Sequence, residues 1–201
     1  LLTTHAALTE PAATAVHAVE LALKSLVTPL SDSRVLVVGG GAIGILSALL
    51  LVHKGATNLT VAETNALRRE TLQRHVRADL LNPIEQSIEP AAYDLVIDAV
   101  GSAKTRLMDL EAVAPGGVVM HIGLQDWASE IDMRKLTLAE ITLLGTYTYT
   151  MEDLRKTVEQ LDRGDFGSLD WLDVRPLKDG AKAFEDLDQG KTASPKVLLC
   201  P

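Results

Sequence analysis

Arg34-Val35-Leu36-Val37-Val38-Gly39-Gly40-Gly41-Ala42-Ile43-Gly44 is a short apolar run that ends in a glycine turn and passes at once into an apolar helical pattern. Gly39, Gly41 and Gly44 fit G-x-G-x-x-G with a strand before and a helix after, the setting that gives the spacing meaning. The first glycine allows a tight turn. The second lets a pyrophosphate approach the backbone, and the third lets the helix pack closely on its strand. The free N–H groups and positive end of that helix then face the phosphates. The bland alternative is a glycine-rich turn that binds nothing.

A second residue strengthens the binding reading. Glu63 lies 63 − 44 = 19 residues after the last motif glycine, at the end of the next apolar run, Asn58–Ala62. A carboxylate there accepts hydrogen bonds from the adenosine ribose hydroxyls and repels a 2′-phosphate, which favours NAD over NADP. Arg68 and Arg69 follow closely, and arginine neutralises a 2′-phosphate; a basic residue five positions after such an acid can equally serve the adenosine end of NAD.

Outward from the motif, strands are expected at Arg34–Val38, Asn58–Ala62 and Asp79–Leu81, and at residues 94–98, 118–122 and 140–148. The first is continuously apolar, as in a strand covered on both faces. Helices are expected over residues 42–54, 65–76 and 103–113, with Gly55 closing the first, Ser102 capping the third and Pro115-Gly116-Gly117 stopping it. Residues 123–135 read as an irregular loop. Thr150 and Asp153 open a further helix that ends near Gly164, and residues 178–189 are amphipathic. Short strands are expected at residues 171–174 and 196–200. Residues 1–8 read as an irregular lead-in, followed by a helix with Thr9 as cap and Pro11 in its first turn. Strands alternating with helices predict an α/β doubly wound parallel six-stranded sheet of the Rossmann type, order 3-2-1-4-5-6, with the ligand at the switch point beyond the strand C-termini. The expected organisation is residues 1–33 as lead-in and helix, 34–164 as dinucleotide-binding domain, and 165–201 as a C-terminal segment.

Composition narrows the function. Of 201 residues, 47% are hydrophobic, enough for a core of this size. A net charge of −8 without a basic stripe argues against a nucleic-acid partner. The apolar stretch at residues 42–52 is too short to span a bilayer, and no signal-peptide pattern appears. One cysteine, Cys200, excludes an internal disulfide and a cysteine-cluster zinc site, so a reducing cytoplasm is the expected setting.

Taken in order, several stretches together resemble the cofactor domain of zinc-type medium-chain alcohol and polyol dehydrogenases, of the sorbitol and threonine dehydrogenase kind. They are Ala7-Leu8-Thr9-Glu10-Pro11 with His17-Ala18, Val37-Val38-Gly39-Gly40-Gly41-Ala42-Ile43-Gly44, Asp94-Leu95-Val96-Ile97-Asp98-Ala99-Val100-Gly101, Gly116-Gly117-Val118 through Ile122-Gly123-Leu124, Leu144-Gly145-Thr146, and Lys196-Val197-Leu198-Leu199. The resemblance implies that Gly39, Gly41, Ala42, Ile43 and Gly44 line the pyrophosphate and that Glu63 holds the adenosine ribose with Arg68 beside it. It implies Val100 on the adenine side, Ile122, Gly123 and Leu124 at the nicotinamide end, and Lys196 reaching the pyrophosphate. Glu10 would stand beside a catalytic zinc in the full-length parent only. The zinc ligands would come from an N-terminal catalytic domain that is absent here, and the segment would by itself bind cofactor without chemistry. The implied partners are a small-molecule alcohol and a second copy of the chain, paired through the edge strand at residues 140–149. The rival readings are a stand-alone nucleotide-binding or sensor module, an S-adenosylmethionine-dependent methyltransferase, and a zinc-free quinone or enoyl reductase.

Overall fold

The computed structural model describes residues 3–201. Residues 1 and 2 of the expected lead-in lie outside the described residues. Within that lead-in, α1 (Thr3–Ala6) is a short helix where an irregular segment was expected. Helix α2 (Thr9–Ser25) begins one residue earlier than a Thr9 cap requires: Leu8 is the cap, Thr9 is already helical, and no side chain bonds the cap. Ala12, Ala15, Val16, Ala18, Val19 and Ala22 of α2 are fully buried, and the small alanine side chains let it lie close to α3 (Ala42–His53).

The sheet contains β1 (Arg34–Val38), β2 (Asn58–Ala62), β3 (Asp79–Leu81), β4 (Tyr93–Asp98), β5 (Val113–His121) and β6 (Thr142–Gly145). Its order is β3-β2-β1-β4-β5-β6 with every neighbouring pair parallel, as the alternation of apolar runs and helices predicts. The continuous apolarity of β1 has a direct cause. Val35 and Val37 enter the cluster beneath α2 and α3, whereas Leu36 and Val38 enter the cluster on the opposite face with Val96, Leu110 and Val119. The remaining helices are α4 (Ala66–His75), α5 (Ala103–Ala112), α6 (Met133–Leu138), α7 (Met151–Arg163) and α8 (Gly180–Asp188). Phe166, Leu169 and Trp171, which follow α7, belong to the same core as α2 and α3. A separate parallel pair, β7 (Asp173–Pro176) and β8 (Val197–Cys200), completes the chain.

Three expectations need correction. The edge strand is four residues long rather than nine. Glu140 takes a left-handed backbone (φ 52°), and the Ile141 N–H closes α6 on the Leu136 carbonyl at 3.0 Å. At the other end Thr148 (φ 49°) turns the chain toward the Thr150 cap of α7. Second, α6 begins inside the segment read as an irregular loop, and Asp132 caps it by accepting the Lys135 N–H. Third, β5 starts at Val113 and carries Pro115-Gly116-Gly117 inside it, where the pairing with β4 shifts register.

The end of β4 is held by a buried carboxyl cluster. Asp98 is fully buried; its Oδ1 accepts the N–H groups of Val100 (2.9 Å) and Gly101 (2.8 Å), and its Oδ2 accepts the Thr105 hydroxyl (3.0 Å). Asp109 of α5, only 1% exposed, lies within hydrogen-bond reach of Asp98, and no donor serves either of its oxygens. Burial first, and then the Asp98 carboxyl, push Asp109 up to about 9, with Arg106 opposing. The folded chain therefore holds a proton that the unfolded chain releases above the ordinary carboxylate range. The Asp109 contribution to stability falls as pH rises from about 4 toward 9, by up to about 1.4 kcal/mol per unit, and then levels off. Asp109→Asn removes this linkage while keeping a donor to Asp98. Its melting temperature relative to the parent should climb steadily from pH 5 to pH 8 in thermal denaturation; a pH-independent difference would contradict the assignment.

Candidate functional site

The three motif glycines do three different things. Gly39 has φ 94°, and a Cβ there would lie 2.5 Å from Val100 Cγ2. At Gly44 a Cβ would lie 1.8 Å from the Gly39 carbonyl oxygen, so only glycine lets α3 start this close to β1. Around Gly41 the space is open, with nothing within 4 Å. Gly41 is also the cap of α3, and no side chain bonds it there, whereas Asn65, Ser102 and Thr150 cap α4, α5 and α7. Ala42, Ile43 and Gly44 thus present the first turn of α3 behind an open space.

That space belongs to a cleft of about 540 Å³ beyond the C-terminal ends of β1, β2 and β4, within the size range of small-molecule sites. Gly39, Gly41, Glu63, Arg68 and Val100 all line it. Glu63 is 6% exposed; its Oε2 accepts the Gly40 N–H at 2.6 Å and its Oε1 accepts the Asn65 N–H at 2.7 Å. The two arginines part company. Arg69 is spent on the Glu63 and Thr64 carbonyls at 2.9 and 2.7 Å. Arg68 lines the cleft with a buried Nε that has no protein partner. A cradle beside Gly41 with a buried acid and an unpartnered buried guanidinium donor fits the adenosine and phosphate end of a dinucleotide.

The opposite wall is built on the Val100–Gly101 turn. A Cβ at Gly101 would meet the Gly123 carbonyl oxygen at 1.9 Å, and one at Gly123 would meet the Val100 carbonyl carbon at 2.0 Å, so the two backbones touch. Ile122 is buried and Leu124 is 78% exposed. Neither lines the cleft, but the following Gln125 does, and its N–H bonds the Val100 carbonyl at 3.1 Å. Lys196 stands apart, just before β8, where its carbonyl accepts the Ser194 hydroxyl at 2.6 Å. Glu10 is exposed on the first turn of α2, away from the cleft lining.

Other cleft residues escaped the sequence reading: Ser102, Lys104, Thr105 and Met108 of the α5 start, and Pro83 and Ile84 after β3. The signal for the first group was present, since a second strand–glycine–helix junction at Asp98–Ser102 faces the same end of the sheet. Three histidines have polar partners. His17 bonds Asp153 at 2.9 Å, His53 lies 3.6 Å from Asp165, and His121 receives the Arg106 Nε–H at 3.0 Å. Among the described residues no cluster of three or more His, Cys, Asp or Glu side chains is placed to hold a metal ion, and no helix is long and apolar enough to cross a membrane.

The chain matches the family described as "Glucose dehydrogenase C-terminus" over residues 3–193. It is 29% identical over 208 residues to L-threonine 3-dehydrogenase from Pyrococcus horikoshii, covering 97% of this chain and 58% of that protein. It is 27% identical over 215 residues to (R,R)-butanediol dehydrogenase from Saccharomyces cerevisiae, covering 98% of this chain and 54% of that protein. Among solved structures, L-idonate 5-dehydrogenase from Escherichia coli superposes with a TM-score of 0.83 at 25% identity, over 98% of this chain and 57% of its own. Acetophenone reductase from Geotrichum candidum in complex with NAD shares the fold, with a TM-score of 0.86 at 23% identity over 100% of this chain and 57% of its own. The chain thus spans somewhat more than half the length of the curated relatives named here. With the family match running across nearly all of it, the chain belongs to the glucose dehydrogenase C-terminal family, the cofactor-domain half of the zinc-type medium-chain dehydrogenases.

Proposed function

We propose that this chain is the NAD-binding part of a zinc-dependent dehydrogenase that oxidises a secondary alcohol, polyol or related hydroxyl compound. The observation that carries the reading is the cleft itself: an open space at Gly41 in front of the uncapped α3, flanked by the buried Glu63 carboxylate. Bound there, NAD supplies the acceptor for the hydride that leaves the alcohol carbon. The chain's own work is to bind and orient. The backbone at Gly41–Gly44 meets the pyrophosphate, Glu63 accepts the ribose hydroxyls and Arg68 reaches the adenosine end. The turn at Val100–Gly101, with Ile122, Gly123 and Leu124 beyond it, sets the nicotinamide end. In this reading the zinc that polarises the alcohol is held by a part of the protein outside this chain, with Glu10 on the side that meets it. Residues 165–201 lead back toward that part, with Lys196 on the way to the pyrophosphate. A stand-alone nucleotide sensor would keep the cleft and lose the chemistry, and family membership counts against a methyltransferase.

The same reading assigns a homodimer contact to the free edge of the sheet. β6 is the last strand, carries no charged residue, and leaves Leu143 38% exposed, the kind of edge that pairs with another chain.

Three outcomes test this. The parent chain should bind NADH more tightly than NADPH in calorimetric titration, and Glu63→Gln should narrow that preference by about tenfold, the scale of one partly screened charge repulsion. Equal or tighter NADPH binding by the parent refutes the assignment. Gly41→Val should fold normally, since its backbone (φ −68°, ψ −176°) suits any residue and the space is empty. It should lose roughly a hundredfold in NADH affinity because the side chain fills the pyrophosphate position; undiminished binding would make the turn purely structural. Light scattering should give a dimer for the parent and a monomer for Leu143→Lys, with unchanged circular dichroism. A monomeric parent at micromolar concentration removes the edge contact.

A further inference from the structure

The cleft wall at Val100–Gly101 is gripped from two sides, and both grips lead to one buried acid. On the N–H side, Asp98 accepts from Val100 and Gly101. On the carbonyl side, Arg106 Nη2 donates to the Gly101 carbonyl at 3.0 Å and to the Asp126 carbonyl at 2.6 Å. Of the other Arg106 donors, Nε bonds His121 Nε2 at 3.0 Å and one Nη1 N–H bonds the Ser129 hydroxyl at 2.9 Å, so four of its five N–H groups are engaged. Asp109 lines a smaller cavity of about 240 Å³ together with Arg106 and His121, and it faces Asp98. From Asp98 the hydrogen bonds run on through the Thr105 hydroxyl to Ser102, and both of these line the nucleotide cleft.

We propose that Asp109 is a positioning residue for the nucleotide cleft: the carboxyl proton it holds against Asp98 keeps the Val100–Gly101 wall in place, so that cofactor affinity is linked to that proton. The inference rests on the nucleotide reading above. With the proton present, Asp109 donates to Asp98, and Asp98 remains free to hold the two wall amides. Without it, two buried carboxylates face each other, an arrangement strongly disfavoured in a low-dielectric interior. The cation that can relieve them is Arg106, on the same helix, and turning its Nη2 to Asp109 would release the Gly101 and Asp126 carbonyls. The groups that face Asp109 are Asp98 from β4, His121 from β5 and Arg106 from α5. His121 offers no donor at Nε2, which already accepts from Arg106. Asp126, from the following loop, is occupied by the Ala103 N–H at 2.7 Å. Gly123, already in contact with the turn, leaves the wall no room to shift inward.

The test is a fluorescence titration of NADH, which is stable in alkali, against the 201-residue chain and two variants from pH 7 to pH 10, with near-ultraviolet circular dichroism at each pH. The parent should lose about tenfold in affinity between pH 8 and pH 10, within the limit of tenfold per unit for one proton. Asp109→Asn, which keeps a donor to Asp98, should match the parent within about twofold at pH 7 and stay flat to pH 10. Asp109→Leu, which keeps bulk but no donor, should bind severalfold more weakly at pH 7, and its affinity should also be flat. Lys104 lines the same cleft in all three proteins, so the difference between parent and Asp109→Asn is the readout. A flat parent profile overturns the inference, as does the same alkaline loss in Asp109→Asn. Absence of NADH binding by all three proteins at pH 7 instead overturns the nucleotide reading, and the inference falls with it.

Discussion

The hydrogen bond from the Gly40 N–H to the Glu63 carboxylate, 2.6 Å long and buried, is the constraint on which the site depends. It ties the end of β2 to the glycine turn after β1 at the point where the chain must leave the sheet and start α3. A carboxylate buried this deeply needs donors, and backbone N–H groups at Gly40 and Asn65 supply them. The bond to Gly40 therefore fixes the direction of the turn as well as the place of the acid. Replacing Gly40 would collide with the same interaction, since a Cβ there would lie 2.9 Å from Glu63 Oε2. The local chemistry of the cleft and the packing of β1 on β2 are thus one arrangement.

Most of the fold was legible because its causes are local. A strand covered on both faces is apolar, and β1 reads so from Val35 to Val38. Glycines that tolerate no Cβ announce a turn or a close approach, and Gly39 and Gly44 have those roles. The spacing of Glu63 from the glycine motif is a geometric consequence of one helix and one strand, so it too could be counted off. The edge strand was misread for an equally physical reason. Residues 140–148 are rich in Thr, Ile and Tyr, but their β-propensity is overruled at both ends by backbone turns, at Glu140 where α6 closes and at Thr148 where α7 approaches.

The buried acid cluster was not legible. In Lys104-Thr105-Arg106-Leu107-Met108-Asp109, the pattern reads as an ordinary helix with a polar face, and nothing local says that Asp109 points inward while Leu107 is exposed. That orientation is set by tertiary contact: α5 packs on β4 and β5, and Asp109 lies on the same buried side as Leu110 and Ala112. Asp98 gave a weaker hint as the residue that ends an apolar strand just before Val100-Gly101. Its role as acceptor for both turn amides follows from the turn geometry, not from composition.

The two walls of the cleft use carboxylates in opposite ways, and the difference follows from where each one sits. Glu63 lines the cleft and has only backbone N–H groups and the Thr64 hydroxyl as protein partners, so its remaining acceptor capacity faces the space a ligand would fill. Asp98 lies under the wall and is held by two amides and a hydroxyl, so it shapes the cleft without lining it. An acid placed like Glu63 reads the ligand; one placed like Asp98 reads the state of the protein around it. The second kind is costly to bury, and the cost is greatest where a further acid, Asp109, is set against it. An amide or a hydrocarbon at such a position would remove the penalty. The group that Asp109 burdens is the one that accepts the Val100 and Gly101 amides, so the cost falls on the turn that forms the cleft wall.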